Sequence, residues 1–173
     1  MINEPITAII LTGTMGVGKT SVLGEASDIL SSHGITHATI DLDMLGMTYV
    51  HDQISRELML RNLASVWSNY RAAGVTRLLL AEAVESHEDI KRIRAAIPDV
   101  EEIIICRVWT TTDVAEERVR RRERGMLRAK YVARVAELDR ILDDAGLEDF
   151  SVTNERTSVT DAAREMLSWA GWL

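Results

Sequence analysis

Residues Gly13 to Thr20 read GTMGVGKT, a full G-x-x-x-x-G-K-[ST] phosphate-binding loop. An apolar run, Ile6 to Leu11, leads into it, and an amphipathic segment follows. Strand, glycine loop and helix is the context in which this motif cradles phosphate. Glycines let the main chain turn sharply and approach an anion, so that successive N–H groups converge on phosphate oxygens. The helix beginning near Lys19 points its positive dipole end at the same place. Lys19 adds a charge for the β- and γ-phosphates, and the Thr20 hydroxyl is placed to ligate Mg²⁺. Nucleoside triphosphate is therefore expected on Gly13, Thr14, Met15, Gly16, Val17, Gly18, Lys19, Thr20 and Ser21.

Acidic residues follow the other apolar runs. Asp41 and Asp43 straddle the end of the second, so one can hold a metal-bound water while the other meets an acceptor hydroxyl. Either can instead cap the following turn. Glu82 ends the run Leu78 to Ala81 and is a second metal or acceptor ligand, or else a surface glutamate. The metal set expected is Thr20, Asp41 and Glu82, with Asp43 and Asp41 as the catalytic carboxylates.

Arginines concentrate between Arg118 and Arg134. They read either as a solvated helix face neutralised by Glu116, Glu117 and Glu123, or as a lid closing over transferring phosphates. Arg118 and Arg122 are spaced to share a helix face, and Gly125 offers a hinge. His51, Asp52 and Arg56 open a long helix where an acceptor pocket would form, and read as solvated first-turn residues. Met44, Met47 and Met59 read as core filling or pocket lining. The tryptophans, Trp67, Trp109, Trp169 and Trp172, read as packing residues.

These residues need a frame, and strand and helix patterns alternate along the whole chain, as in a parallel sheet covered on both faces. Strands are expected at Ile6 to Leu11, Ala38 to Asp41, Val75 to Ala81, Ile103 to Trp109 and Phe150 to Thr153. Helices are expected between them. The first carries Val22, Leu23, Ala26, Ile29 and Leu30 inward. The long one uses Ile54, Leu58, Leu63, Val66, Trp67 and Tyr70. Ser86 opens another and Pro98 ends it. Asp113 and Glu116 resemble a capping box. Leu127, Tyr131, Val135, Leu138 and Leu142 face in on the next helix, and Ser158 opens the last.

At 173 residues, with 46% hydrophobic content, the chain is expected to form one domain over residues 1–173 with a lid around 113–130. The net charge of −7 argues against general nucleic-acid or anionic-membrane binding. No apolar run is long enough to span a bilayer, no leader pattern precedes the phosphate loop, and a cytoplasmic monomer or homodimer is the expectation. Cys106, alone in an apolar run, reads as strand filler.

GTMGVGKT (Gly13 to Thr20), DLD (Asp41 to Asp43), ERVRRRERG (Glu117 to Gly125) and the tail Val152 to Leu167 resemble the small phosphate-loop kinases of the nucleoside-monophosphate-kinase-like group. That group includes adenylylsulfate, gluconate and shikimate kinases and chloramphenicol phosphotransferases. The resemblance implies a three-layer αβα P-loop NTPase with a five-stranded parallel sheet in order 2-3-1-4-5. It also implies ATP with Mg²⁺, a small acceptor over the second and third strands, and lid arginines Arg118 and Arg122. The adenine would lie by Asn154 to Arg156. Acceptor signatures for adenylylsulfate, shikimate or gluconate are absent. Arg56 and Arg61 are the only arginines near the expected acceptor site, so a neutral or polyhydroxyl acceptor is as compatible as a phosphorylated one. The expected activity is ATP-dependent transfer of phosphate to a small-metabolite hydroxyl. The alternatives are a nucleotide-binding regulatory protein and a GTPase-type switch; no N-K-x-D sequence supports the switch.

Overall fold

The computed structural model describes residues 5–48 and 55–173, with the side chain of Ser55 left aside; His51, Asp52 and Ile54 lie outside that range. The chain order is β1 (Thr7–Thr12), α1 (Lys19–Ser32), β2 (His37–Asp41), α2 (Leu42–Leu45), α3 (Ser55–Ala72) and β3 (Arg77–Ala81). There follow α4 (His87–Ala96), β4 (Glu102–Trp109), α5 (Thr112–Arg122), α6 (Arg128–Ala145), β5 (Phe150–Thr153) and α7 (Val159–Trp169). The five strands form one sheet in the order β2-β3-β1-β4-β5. Every pairing is parallel, with Leu11 opposite Ala81 on one side and Cys106 on the other.

Side-chain alternation divides the core. Ile9, Leu11, Leu79, Ala81, Cys106, Val108 and Val152 face a layer built by α1, α5, α6 and α7. Ala8, Ile10, Ile40, Leu78 and Leu80 face the other layer, where α3 presents Met59, Leu63 and Trp67 and α4 presents Ile93. Ile9, Ile10 and Leu11 are all fully buried, because a central parallel strand is covered on both faces. β1 sits between β3 and β4, so the turn leaving it lies mid-way along the carboxyl edge, where open α/β sheets bind ligands.

Some local expectations change. α5 starts at Thr112, and no side chain caps it; the expected Asp113–Glu116 box is not formed. Glu155, from the turn after β5, instead accepts from the Thr111 amide at 2.7 Å and from the Thr110 hydroxyl at 2.8 Å. Those bonds hold the Glu155 carboxyl below its usual range. Leu127, expected inward, is exposed because α6 begins one residue after it, and Tyr70 lies at the exposed end of α3. Trp67 and Trp172 pack inside, whereas Trp109 and Trp169 are largely exposed, Trp169 stacking on Phe150. Cys106 is buried strand filler as expected, and burial pushes its thiol far up.

Leu79→Ala should destabilise the fold by ~2–5 kcal/mol, because the cavity opens in a sheet face with no room to collapse. Urea denaturation measures it, and a loss under ~1 kcal/mol would mean that the two-layer packing is looser than described.

Candidate active site

The turn between β1 and α1 is held open by three close approaches. Gly16 has φ 82°, and a Cβ there would stand 2.3 Å from the Ala115 carbonyl oxygen of α5. Gly18 has φ 97°, and a Cβ there would meet the Asn154 side-chain nitrogen at 2.4 Å. A Cβ on Gly13 would stand 2.3 Å from the Val108 carbonyl oxygen. The loop is thus pressed against β4, α5 and the turn after β5, and side chains at these positions would push it away. Further bonds fix it. Thr14 Oγ1 donates to Val135 O at 2.8 Å, and Asn154 Nδ2 donates to Val17 O at 2.8 Å.

Gly18 caps α1 with no side-chain hydrogen bond, and the first turn of α1 carries no acidic residue. The opening N–H groups of α1 therefore lack a side-chain acceptor, the condition under which a helix start attracts an anion. Lys19 folds back over the loop, its Nζ donating to Gly13 O at 2.8 Å and Thr14 O at 3.1 Å. Burial pushes its pKa down, while Asp43, Glu82 and Asp41 pull it back up.

A cavity of about 340 Å³ opens over these amides. Thr14, Met15, Gly16, Gly18, Lys19, Thr20 and Ser21 form its floor, and Asp43, Arg118, Arg122, Asn154 and Val159 form its walls. Of the residues expected to hold nucleotide, Gly13 and Val17 support the floor from behind: Gly13 through its carbonyl, Val17 through its carbonyl and a buried side chain. Arg156 is exposed and stands off the cavity wall. Arg118 is already engaged, its Nη1 donating to Asn154 Oδ1 at 2.8 Å and its guanidinium lying 3.4 Å from the Gly16 and Val17 carbonyls. Arg122 reaches the same cavity from an exposed position and pairs with Glu123.

The remaining arginines of α5 are paired within their own helix, Arg120 with Glu116 and Arg121 with Glu117. The expected lid is also divided. α5 buries Ala115 and Val119 completely and belongs to the packed body, whereas residues 124–130 are exposed.

The acidic residues form two groups. Thr20 Oγ1 donates to Asp41 Oδ2 at 2.8 Å, and Asp41 Oδ1 accepts from the Asp43 amide at 3.2 Å, so Asp41 both caps the turn and meets the loop hydroxyl. A hydroxyl and a carboxylate side by side beneath a phosphate cavity fit Mg²⁺, which keeps several waters and takes few protein ligands. Glu82 follows Ala81, the register partner of Asp41. It lines a neighbouring cavity of about 220 Å³ with Asp43, Gly46, Arg56 and Met59. Among the described residues, no cluster of three or more His, Cys, Asp or Glu is arranged to hold a metal on its own. Met59 is buried at that wall, whereas Met44 and Met47 are exposed.

No protein-family model matches this chain, and no curated protein matches it. Solved structures do. A sugar kinase from Janibacter sp. HTCC2649 superposes with a TM-score of 0.63 at 16% identity, covering 96% of this chain and 95% of its own. The APS kinase of Mycobacterium tuberculosis, in complex with AMPPNP and APS, gives 0.62 at 23% identity, covering 97% and 99%. Shikimate kinase from Acinetobacter baumannii, in complex with shikimate, gives 0.62 at 15%, covering 97% and 94%. The chain has the fold of a small P-loop kinase. Its five parallel strands in order 2-3-1-4-5, with helices on both faces, are the architecture these neighbours share.

Sequence reasoning missed two supports of the P-loop. Asn154, expected beside a base, braces the loop, and Glu155, one residue on, anchors the start of α5. A polar turn after the last strand was the visible signal; its reach across the sheet was not.

Two predictions follow from this geometry. Gly18→Ala should weaken Mg·ATP binding by at least ~10-fold with the fold retained, since its Cβ displaces Asn154 from the loop; calorimetric titration measures this, and unchanged affinity would refute the close-fit account. Glu82 bears on pH. Burial first, then Asp43, raises its carboxyl from 4.5 to about 7. A raised carboxyl pKa favours the folded state at low pH, and that contribution fades as pH climbs through the folded value. Wild type should therefore lose up to ~2–3 kcal/mol relative to Glu82→Gln between about pH 4.5 and pH 7. Urea midpoints across that window decide it, and parallel profiles would contradict the burial described.

Proposed function

We propose that this protein is an ATP-dependent phosphotransferase that moves the γ-phosphoryl group to a hydroxyl of a small metabolite. The observation that carries the reading is the position of Asp43, which lines both the P-loop cavity and the adjoining smaller one. A carboxylate at that border can touch an acceptor hydroxyl in one cavity and face the γ-phosphate in the other. The kinase fold and an APS kinase neighbour in complex with AMPPNP support the nucleotide assignment.

The parts then take roles. The amides of residues 13–20 and the start of α1 bind the phosphates, with Lys19 leaving its carbonyl partners to meet the β- and γ-oxygens. Thr20 and Asp41 would hold Mg²⁺, directly and through water, and the ion would neutralise charge on the triphosphate. Asp43 orients the acceptor hydroxyl and takes its proton as the new O–P bond forms. The bond between the γ-phosphorus and the bridging oxygen breaks, and ADP leaves with that electron pair. Arg118 and Arg122 face the cavity where charge spreads in the transition state, and residues 124–130 are the part free to close as a lid. Asn154 lines the cavity wall and is assigned to the nucleotide, whereas Arg156 stands off that wall. The same reading assigns the protein to the cytoplasm, with a small-molecule acceptor and no nucleic-acid or membrane partner, as monomer or homodimer. Among the described residues no helix is long and apolar enough to cross a membrane.

Incubation of the protein with Mg·ATP and a metabolite extract, followed by mass spectrometry, should reveal a phosphate-sized mass gain on a small molecule. Asp43→Asn should lower that rate by ~10²–10⁴-fold with ATP binding retained. Lys19→Ala should lower it by at least ~10²-fold. Full activity in both variants would overturn the mechanism, and ATP binding with no product from any extract would favour a regulatory nucleotide-binding protein.

A further inference from the structure

The cavity beyond Asp43 is about 220 Å³, below the roughly 300–1,000 Å³ of pockets for drug-sized ligands, so its occupant is a small metabolite. Its wall carries two carboxylates, Glu82 and Asp43, and one guanidinium, Arg56. Glu82 is only 9% exposed, and its Oε2 is enclosed with no hydrogen-bond partner among the described residues. A buried carboxylate oxygen lacking a donor is costly, and native structures retain one where a ligand or water completes it. Asp43 supplies a second carboxylate to the same wall.

The cation on that wall, Arg56, is already paired. Arg56 Nη2 lies 2.6 Å from Asp89 Oδ1. Asp89 is itself buried, with Oδ2 held by the Glu85 amide at 3.0 Å, so the pair is fixed to the start of α4. Arg61, the other arginine near this site in sequence, is exposed and stands off the cavity wall. Among the described residues, an anionic acceptor would therefore face two carboxylates and one guanidinium that is already paired with Asp89. A neutral polyol would satisfy Oε2 but would add no positive charge to a wall that sets Glu82 and Asp43 against Arg56 alone.

We propose that the acceptor is a hydroxylated amine, whose ammonium group sits against Glu82 while its hydroxyl reaches Asp43. This deepens the phosphotransferase reading and rests on it. The ammonium supplies at once a donor for Oε2 and a positive charge beside two carboxylates. It also separates this protein from the neighbours solved with APS and shikimate, which carry anionic groups.

The test uses the full chain. A metabolite extract at neutral pH is divided on cation and anion exchangers, and each fraction is incubated with protein and Mg·ATP and searched by mass spectrometry for a phosphate-sized gain. The acceptor should be in the fraction retained by the cation exchanger. Glu82→Gln should raise its KM by ~10-fold or more while the KM for ATP moves less than ~2-fold. An acceptor retained by the anion exchanger, or by neither, overturns the proposal, and so does an unchanged acceptor KM in Glu82→Gln. Should that variant fail to bind ATP, the exchanger result alone decides. If no fraction yields product although Mg·ATP binds, the phosphotransferase reading fails and this inference with it.

Discussion

The fit of bare main chain against its surroundings at Gly13, Gly16 and Gly18 is the constraint on which the rest depends. A methyl group at any of these positions would stand within 2.4 Å of Val108, Ala115 or Asn154. β4, α5 and the turn after β5 therefore press on the loop from three directions. The sheet order explains why they can: β1 is central, so the turn leaving it lies among the carboxyl ends of its neighbours. The opening amides of α1 are left without side-chain partners, and the cavity above them follows.

This arrangement stores charge in an unstable balance. Lys19 donates to the loop's own carbonyls and loses basicity to burial, with Asp43, Glu82 and Asp41 pulling the other way. Glu82 gains basicity for the complementary reason: burial and the nearby Asp43 outweigh the pull of Arg56 and Lys19. Triphosphate would relieve the first strain by drawing Lys19 off the carbonyls. The second strain lies in the other cavity and calls for a different ligand. Asp43 is common to both walls, which is why the chemistry is placed there.

Much of this was legible in the sequence because it is local. GTMGVGKT specifies strand, loop and helix in eight positions, and the structure places β1 and α1 around it as expected. The apolar runs mark all five strands because a parallel sheet covered on both faces leaves few polar positions. Ser86 and Ser158 announced their helices, and each accepts from the amide three residues on. What was not legible depends on partners far along the chain. The Asp113–Glu116 pattern looked like a cap, but Glu155, more than forty residues away, takes the amide at the start of α5. The arginine run looked uniform, yet helix phase sends Arg118 and Arg122 to the cavity and leaves Arg120 and Arg121 in local pairs. Arg56 looked like a candidate for an anionic acceptor until Asp89 was seen beside it.

The most direct test of the central claim is amide hydrogen exchange with and without Mg²⁺ and a non-hydrolysable ATP analogue. The account predicts that slowing of exchange concentrates in residues 13–21, with a smaller effect around Asn154 and Arg118. Unchanged exchange across the glycine turn in the presence of saturating analogue, or protection confined to another part of the sheet, would contradict it.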